Sequence, residues 1–344
     1  MTLIELTERG FHCAAGDFYI DPWQPVARAV ITHAHSDHAR WGSRAYLTAR
    51  AGEGVLRTRL GPHAAIQALE YGEAIEINGV RVSLHPAGHI LGSAQVRVEH
   101  GGEVWAASGD YKTAGDDATC APFEPVRCHA FITEATFALP IYRWRPQAEI
   151  FGEINAWWRA NQAAGRASLL FGYALGKAQR LLAGLDPSIG PIFAHGAVER
   201  LNRDYRAAGV PLPPTQHPAD VGRGYDWGRA LIVAPPSSHQ SPWSRRFGPS
   251  SSAFASGWMQ TRAARRRRGV DRGFALSDHA DWPGLLGAIA ASGAERVWVT
   301  HGYTAVLARW LGEHGYDARA IDTRFEGEGA DVADELAAEE QTDE

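Results

Sequence analysis

Ligand-type side chains placed where strand-like runs end constrain this chain more than any other feature. The run Thr32-His33-Ala34-His35-Ser36-Asp37-His38 directly follows the apolar residues Val26, Ala27, Ala29, Val30 and Ile31, which read as a buried strand. The same grammar recurs. Val82–Leu84 leads through His85-Pro86-Ala87-Gly88 to His89, and Val104–Ala107 leads through Ser108-Gly109 to Asp110. Phe131–Thr133 leads to Glu134, and Arg296–Thr300 leads to His301-Gly302. Taken singly, His89 or His301 reads as a surface or packed histidine. Repetition changes that reading, because neighbouring strands of one sheet bring their ends to one place. Gly88, Gly109 and Gly302 suit tight turns that let backbone crowd a site. Imidazoles and carboxylates together suit zinc or a similar first-row metal better than calcium or magnesium.

Bulk properties narrow the setting. With 344 residues and 45% hydrophobic content, the chain can form two domains, or one large domain with an insertion. No stretch approaches the ~18–20 apolar residues a membrane span needs. Residues Met1 to Arg9 show no basic segment followed by an apolar one, so no secretory signal is read there. Cys13, Cys120 and Cys128 cannot all pair, and none sits in a C-x-x-C arrangement. Ordinary thiols in a reducing cytosol, and hence a cytoplasmic location, are expected. The net charge of −5 conceals an asymmetry: residues 326–344 hold nine acidic residues and no Lys or Arg, leaving 34 basic against 30 acidic residues in 1–325. The body is mildly basic, and the tail reads as a disordered solubilising end. Apart from Lys112 and Lys177 all the basic residues are arginines. Arginine favours bidentate phosphate contacts, although a biased genome composition produces the same excess.

Up to about Tyr142 the texture is short strands and Gly-rich joints, with strands at Val80–Leu84, Ala94–Val98, Val104–Ala107 and Ala130–Thr133. Helices are expected around Ala51–Leu60 and Pro62–Leu69. After Arg145-Pro146 the pattern changes. Gln147–Ala164 has helical apolar spacing through Ile150, Ile154, Trp157 and Trp158, with Pro146 at its start. The two tryptophans at that spacing read as core rather than as base-stacking platforms. A strand at Ala167–Phe171, a helix at Lys177–Leu185, a strand at Pro191–Ala194, a helix at Glu199–Ala208 and a strand at Leu231–Ala234 predict a small parallel α/β unit. From about Gly273 the short-strand style resumes, with Gly273–Leu276 and Arg296–Thr300 flanking a helix at Pro283–Ser292. The metal-type residues lie on both sides of the α/β stretch. One domain carrying the site, with a second inserted into it, is therefore expected.

These residues resemble a family. His33-x-His35-x-Asp37-His38, His89 in Ala-Gly-His-Ile-Leu-Gly-Ser and Asp110 in Ser-Gly-Asp-Tyr are similar to the motifs of metallo-β-lactamase-fold hydrolases. Glu134, His279 in Ser-Asp-His-Ala-Asp and His301 in Thr-His-Gly resemble the three extra motifs of its nucleic-acid-processing branch, the β-CASP nucleases. Phe254–Gln260 is similar to a glycine-containing loop of these nucleases, and Tyr173–Arg180 to a strand-to-helix element of their cap. The latter is not a phosphate-binding P-loop, because no Ser or Thr follows Lys177. Within the branch, the chain resembles the bacterial DNA-ligase-associated exonucleases.

The resemblance implies an α/β fold: a metallo-β-lactamase αββα sandwich formed by 1–144 and 273–325, an inserted β-CASP cap over 145–272, and the acidic tail 326–344. It implies two divalent ions, zinc or else manganese. His33, His35 and His89 would hold one and Asp37, His38 and His301 the other, with Asp110 bridging. Asp21 would orient a ligand histidine from behind, although an ordinary turn aspartate before Pro22 is an equal reading. Glu134 would pair with His279, raise its pKa and fix its tautomer near the leaving group. Arg262, Arg265–Arg268 and Arg272 read either as a solvated face or as a groove wall, with Arg265, Arg266 and Ser256 as candidate substrate contacts. The implied activity is a nuclease, a DNA exonuclease of repair, associated in function with a DNA ligase and a helicase. An RNA-processing ribonuclease is the alternative, since His301 is shared with such members, whereas Gly302-Tyr303 departs from the His-Gly-Glu of many of them. A small-molecule hydrolase accounts for the first ligands but not for Glu134, His279 or the cap.

Overall fold

A computed structural model describes residues 2–115 and 117–324 of the chain; the acidic segment 326–344 lies outside the described residues. The described residues form a mixed α/β structure with three sheets. It divides into two compact units, one built from the residues up to Arg143 and from His279 onward, the other from Trp144–Asp278.

The first unit opens with a six-stranded sheet, in sequence order: β1 (Glu5–Thr7), β2 (Gly10–Cys13), β3 (Phe18–Ile20), β4 (Arg28–Val30), β5 (Ala45–Ala49) and β6 (Ile66–Leu69). The first three strands are antiparallel neighbours, and from β3 to β6 the pairing is parallel. A helix, α1 (Glu53–Leu60), connects β5 to β6. The helix expected over Pro62–Leu69 is not formed: Ile66–Leu69 is a strand, in register with Tyr46–Ala49 of β5. Its four residues are too few for a stable helix, and the open edge of β5 supplies the hydrogen-bond partners that decide the matter. A second sheet begins with β7 (Ala74–Ile77), β8 (Val80–Pro86), β9 (Ala94–His100), β10 (Glu103–Ala107) and β11 (Ala130–Ala135).

The second unit starts with α2 (Gln147–Ala163), whose i, i+4 spacing buries Ile150, Ile154, Trp157 and Trp158. Both tryptophans are core residues packed with Leu170, Leu181 and Leu231. Burying two such rings stabilises the unit by about 4–6 kcal/mol each on area grounds. The sheet holds β12 (Ala167–Phe171), β13 (Ile192–Ala194), β14 (Leu231–Ala234), β15 (Ser250–Ala255) and β16 (Arg272–Phe274), all parallel, in the order β13-β14-β12-β15-β16. Besides α2, the described residues of this unit form α3 (Lys177–Gly184), α4 (Gly196–Ala207), the single turn α5 (Pro242–Arg245) and α6 (Arg262–Arg268). Lys177 is fully buried, and its Nζ donates to Asp278 Oδ1 at 2.5 Å and to the Leu276 carbonyl at 3.2 Å. The chain leaves this unit at His279 rather than at Gly273, because β16 is hydrogen-bonded to β15.

Back in the first unit, α7 (Trp282–Ser292), β17 (Arg296–Gly302), α8 (Thr304–Glu313) and β18 (Asp317–Ala320) complete the second sheet, in the order β18-β17-β11-β10-β9-β8-β7. One of its faces packs on the first sheet, with Val82, Val96, Trp105 and Ile132 meeting Phe11, Phe18, Val30 and Leu47. The other face, through Phe131, Val297 and Val299, packs on Leu285 and Ile289 of α7 and Leu307 and Leu311 of α8. Strands β10, β11 and β17 are parallel neighbours. Their carboxyl ends therefore open on one edge, the position where parallel sheets commonly assemble a site.

Candidate metal centre

That edge gathers the ligand-type residues of the first unit. The loop after β4 supplies His33, His35, Asp37 and His38, and it curls so that His38 N and Ala39 N both donate to the His35 carbonyl, at 3.1 and 2.8 Å. The loop after β8 supplies His89, held by the Ser93 hydroxyl, which accepts from His89 N at 3.0 Å and from Ile90 N at 3.2 Å. Asp110 follows β10, while Glu134 and His301 lie near the ends of β11 and β17. His279 precedes α7, and the Ala280 N–H donates to the Tyr111 carbonyl at 2.6 Å. Gly88 (φ +75°) and Gly302 (φ +90°) are needed where they stand: a Cβ would strike the Lys112 carbonyl oxygen at the first and the Ala135 carbonyl oxygen at the second.

Three donor groups share one carboxylate, two of them rich in histidine and the third formed by Asp110, Glu134 and His279. His33, His35, His89 and Asp110 offer ligand atoms that all lie within 4.8 Å of one another, and so do those of His38, Asp110 and His301. In the first group His33 Nε2 and His89 Nε2 each lie 3.1 Å from His35 Nδ1, and Asp110 Oδ2 is 3.6 Å from His33 Nε2. In the second, His38 Nε2 is 3.7 Å from Asp110 Oδ2 and His301 Nε2 is 3.5 Å from Asp110 Oδ1. Asp37 Oδ2 also lies 3.7 Å from His38 Nε2. Asp110 Oδ1 is buried and receives no hydrogen bond among the described residues. Five imidazoles with one or two carboxylates, converging in a buried site, fit zinc-type divalent ions.

The electrostatics favour cations. Burial opposes a charge on His38, yet Asp37, Asp110 and the hydrogen bond to Asp21 outweigh it and push its pKa up to about 10. Burial, reinforced by His38, His35 and His89, drives His33 well below its usual value. Burial raises the Asp110 pKa against the pull of His301. A carboxylate held in such a position gains most from an adjacent positive charge.

Asp21 stands directly behind the ligands. It has φ +43°, and its Oδ1 accepts from Thr32 N at 2.8 Å. Its Oδ2 accepts from the Thr32 hydroxyl at 2.5 Å and meets His38 Nδ1 at 2.8 Å. With Nδ1 donating to Asp21, Nε2 of His38 is the nitrogen that faces Asp110. The second supported pair is His279 and Glu134: Nδ1 lies 3.0 and 2.9 Å from the two carboxylate oxygens. Glu134 also accepts from Tyr111 N at 2.8 Å and from the Thr136 hydroxyl. Although burial raises the Glu134 pKa, His279, His301 and the Thr136 hydroxyl lower it overall.

Several supporting residues are not among the candidate site residues. Thr32 joins Asp21 to His33, with its hydroxyl 3.0 Å from His33 Nδ1. Thr136 joins Glu134 to His301, 3.2 Å from its Nε2. Tyr111 serves Glu134 through its backbone alone. The candidate substrate contacts lie in the second unit. Arg265–Arg268 are exposed on α6, with Arg265 Nε donating to the Met259 carbonyl at 2.5 Å and Arg268 stacked 4.4 Å from the Phe254 ring centroid. Ser256 is fully buried, and its hydroxyl accepts from Trp258 N at 3.3 Å.

No family model matches the chain. Among curated proteins it is 32% identical over 308 residues to a "Probable DNA ligase" of Opitutus terrae, an alignment that covers 88% of this chain and 30% of that protein. It is 28% identical over 181 residues to the cleavage and polyadenylation specificity factor 73 of Drosophila melanogaster, covering 51% of this chain and 26% of the other. It is 32% identical over 122 residues to the endoribonuclease YSH1 of Candida albicans, covering 35% and 14%. The chain thus spans less than a third of the length of each of these relatives. Among solved structures, a protein of unknown function from Enterococcus faecalis aligns with a TM-score of 0.57 at 13% identity, over 87% of this chain and 80% of that one. Taken with the shared motifs, these relatives make the chain a member of the metallo-β-lactamase-fold β-CASP nuclease family.

Proposed function

We propose that the protein is a two-metal nuclease that hydrolyses phosphodiester bonds, working as a DNA exonuclease in cytoplasmic DNA repair. The observation that carries this reading is the sharing of Asp110 between two buried donor groups, beside the His279–Glu134 pair. In this reading His33, His35 and His89 hold one ion, and Asp37, His38 and His301 hold the other. Asp110 belongs to both. Zinc suits the donors, with manganese as the alternative. The first unit is then the metallo-β-lactamase αββα sandwich and the second the inserted β-CASP cap. Two face-packed sheets and a separate all-parallel sheet support that assignment.

When bound, such ions supply an activated water and stabilise charge on the phosphoryl oxygens. The chain's own residues do the rest. Asp21 fixes the tautomer of His38. Glu134 holds Nδ1 of His279, so that Nε2 is the atom that hands a proton to the departing oxygen. Exposed Arg265 and Arg266 contact phosphates, with salt-sensitive affinity, and Ser256 orders the neighbouring loop from within.

Similarity over most of the chain to a protein named as a DNA ligase supports DNA as substrate and a working association with a ligase; a helicase partner belongs to the same proposal. The endoribonuclease relative supports RNA as the second reading. Product analysis on matched single-stranded and duplex DNA and RNA, each with 5′-phosphate or 5′-hydroxyl ends, separates them. The proposal expects stepwise release of nucleotides from DNA ends. Preferential internal cleavage of RNA establishes the second reading, and cleavage of neither removes both.

A further inference from the structure

Three residues beyond His38 the chain places an indole in solvent. Trp41 is 79% accessible, whereas the other eleven tryptophans are buried or half-buried. The loop that carries it is not loose. Arg44 N donates to the Val26 carbonyl at 3.0 Å. The buried Tyr46 hydroxyl accepts from Ser43 N at 2.8 Å and donates to the Arg40 carbonyl at 3.0 Å. Gly42 makes the turn at φ +99°, where a Cβ would lie 3.0 Å from Pro25 Cγ. Trp41 is therefore held outward by a braced turn, at an exposure that sets aside a large apolar surface.

Its neighbours define the occupant. Arg40 and Arg44 flank the indole in sequence; Arg44 is exposed and Arg40 partly so, its buried Nε making no hydrogen bond among the described residues. An exposed indole flanked in sequence by two arginines matches a nucleotide, with the base on the ring and the adjoining phosphates within reach of the arginines. Three peptide units reach at most about 11 Å, so the Cα of Trp41 lies within that distance of the Cα of His38. Inside a duplex both faces of a base are already stacked, so an indole platform selects an unpaired base. We infer that Trp41 stacks on an unpaired nucleobase of the substrate strand, next to the phosphodiester that is cut, and that Arg40 and Arg44 engage its flanking phosphates. This inference rests on the nuclease reading above and makes single-stranded or frayed ends the preferred substrate.

The test uses the full chain loaded with metal, and Trp41→Ala and Trp41→Phe variants checked for unchanged metal content. Binding is measured to one short single strand, made as DNA and as RNA, in which a single abasic nucleotide is moved along the sequence. For the wild type, affinity is expected to fall about tenfold when the abasic nucleotide reaches one position, the size of a lost base–aromatic stack. Trp41→Ala should bind the intact strand about tenfold more weakly and respond equally to every abasic position, while Trp41→Phe should keep most of the wild-type preference. If the wild type responds equally to all abasic positions, or if Trp41→Ala keeps the wild-type preference, the inference is overturned. Hydrolysis of bis(p-nitrophenyl) phosphate by the wild type reports separately on the nuclease reading. Its failure, with the abasic preference still present, removes that reading and leaves the stacking platform standing.

Discussion

Asp21 Oδ2 lies 2.8 Å from His38 Nδ1, and the same carboxylate takes the backbone N–H and the hydroxyl of Thr32. β3 and β4 run parallel, with Ile20 opposite Val30, so the residues just beyond their ends come together and place this carboxylate behind the ligand loop. Removing it frees His38 to change tautomer and rotate. Asp21→Ala is therefore expected to bind the divalent ions about 10- to 100-fold more weakly. Metal titration of the apoprotein measures this, and wild-type affinity in the variant would count against the role.

His279 touches Glu134 through Nδ1, and its ring also lies with Asp110 and Glu134 in one donor group; in the proposed reading it serves as the proton donor and not as a metal ligand. His279→Ala should keep its full metal content while kcat falls about 10²- to 10⁴-fold, the range of a lost general acid. Glu134→Gln should fall in the same direction by a smaller factor, since the amide still accepts a hydrogen bond but carries no charge. Metal analysis beside oligonucleotide turnover checks both, and metal loss in His279→Ala would move that residue into the ligand set.

In the second unit, Lys177 is paired with Asp278 where neither side chain reaches solvent. Removing one partner strands a buried charge. Lys177→Met is expected to destabilise the protein by about 3–5 kcal/mol, and Lys177→Met with Asp278→Leu should recover much of that loss. Chemical denaturation of the three proteins gives the comparison. Equal stability of the single and double variants would show that no charge is stranded.

Burial raises the Cys128 thiol to about 11 from 9.0, against hydrogen bonds from Ser292 and Ala106. The raised value sets the sign. Between pH 9 and pH 11 the unfolded chain loses this proton while the folded chain keeps it, so stability present below pH 9 is lost as pH rises. The loss should approach about 2 kcal/mol. Cys128→Ala should start less stable at pH 8 but decline less steeply by pH 10.5. Parallel urea curves for the two proteins at both pH values test this, and identical slopes with pH would contradict it.

The gathering of the candidate ligands was legible in the sequence because each follows a strand-like run, and a parallel sheet turns that one-dimensional pattern into a shared edge. Trp157 and Trp158 were legible as core from their helical spacing. What escaped the sequence depends on pairing across distance. Ile66–Leu69 is a strand because β5 offers it partners, and Arg272–Phe274 belongs to the second unit because β15 does. The supports for Glu134 come from Thr136 and a Tyr111 backbone amide. Such residues carry no local signature, since any side chain at 111 leaves that N–H in place.

Asp110 is the residue on which both donor groups depend. The most direct measurement is therefore metal content and oligonucleotide hydrolysis of the wild type and Asp110→Ala, determined on the same preparations. The account predicts two divalent ions per wild-type chain, with metal content and hydrolysis both lost in the variant. Wild-type hydrolysis by a metal-depleted Asp110→Ala protein would contradict it.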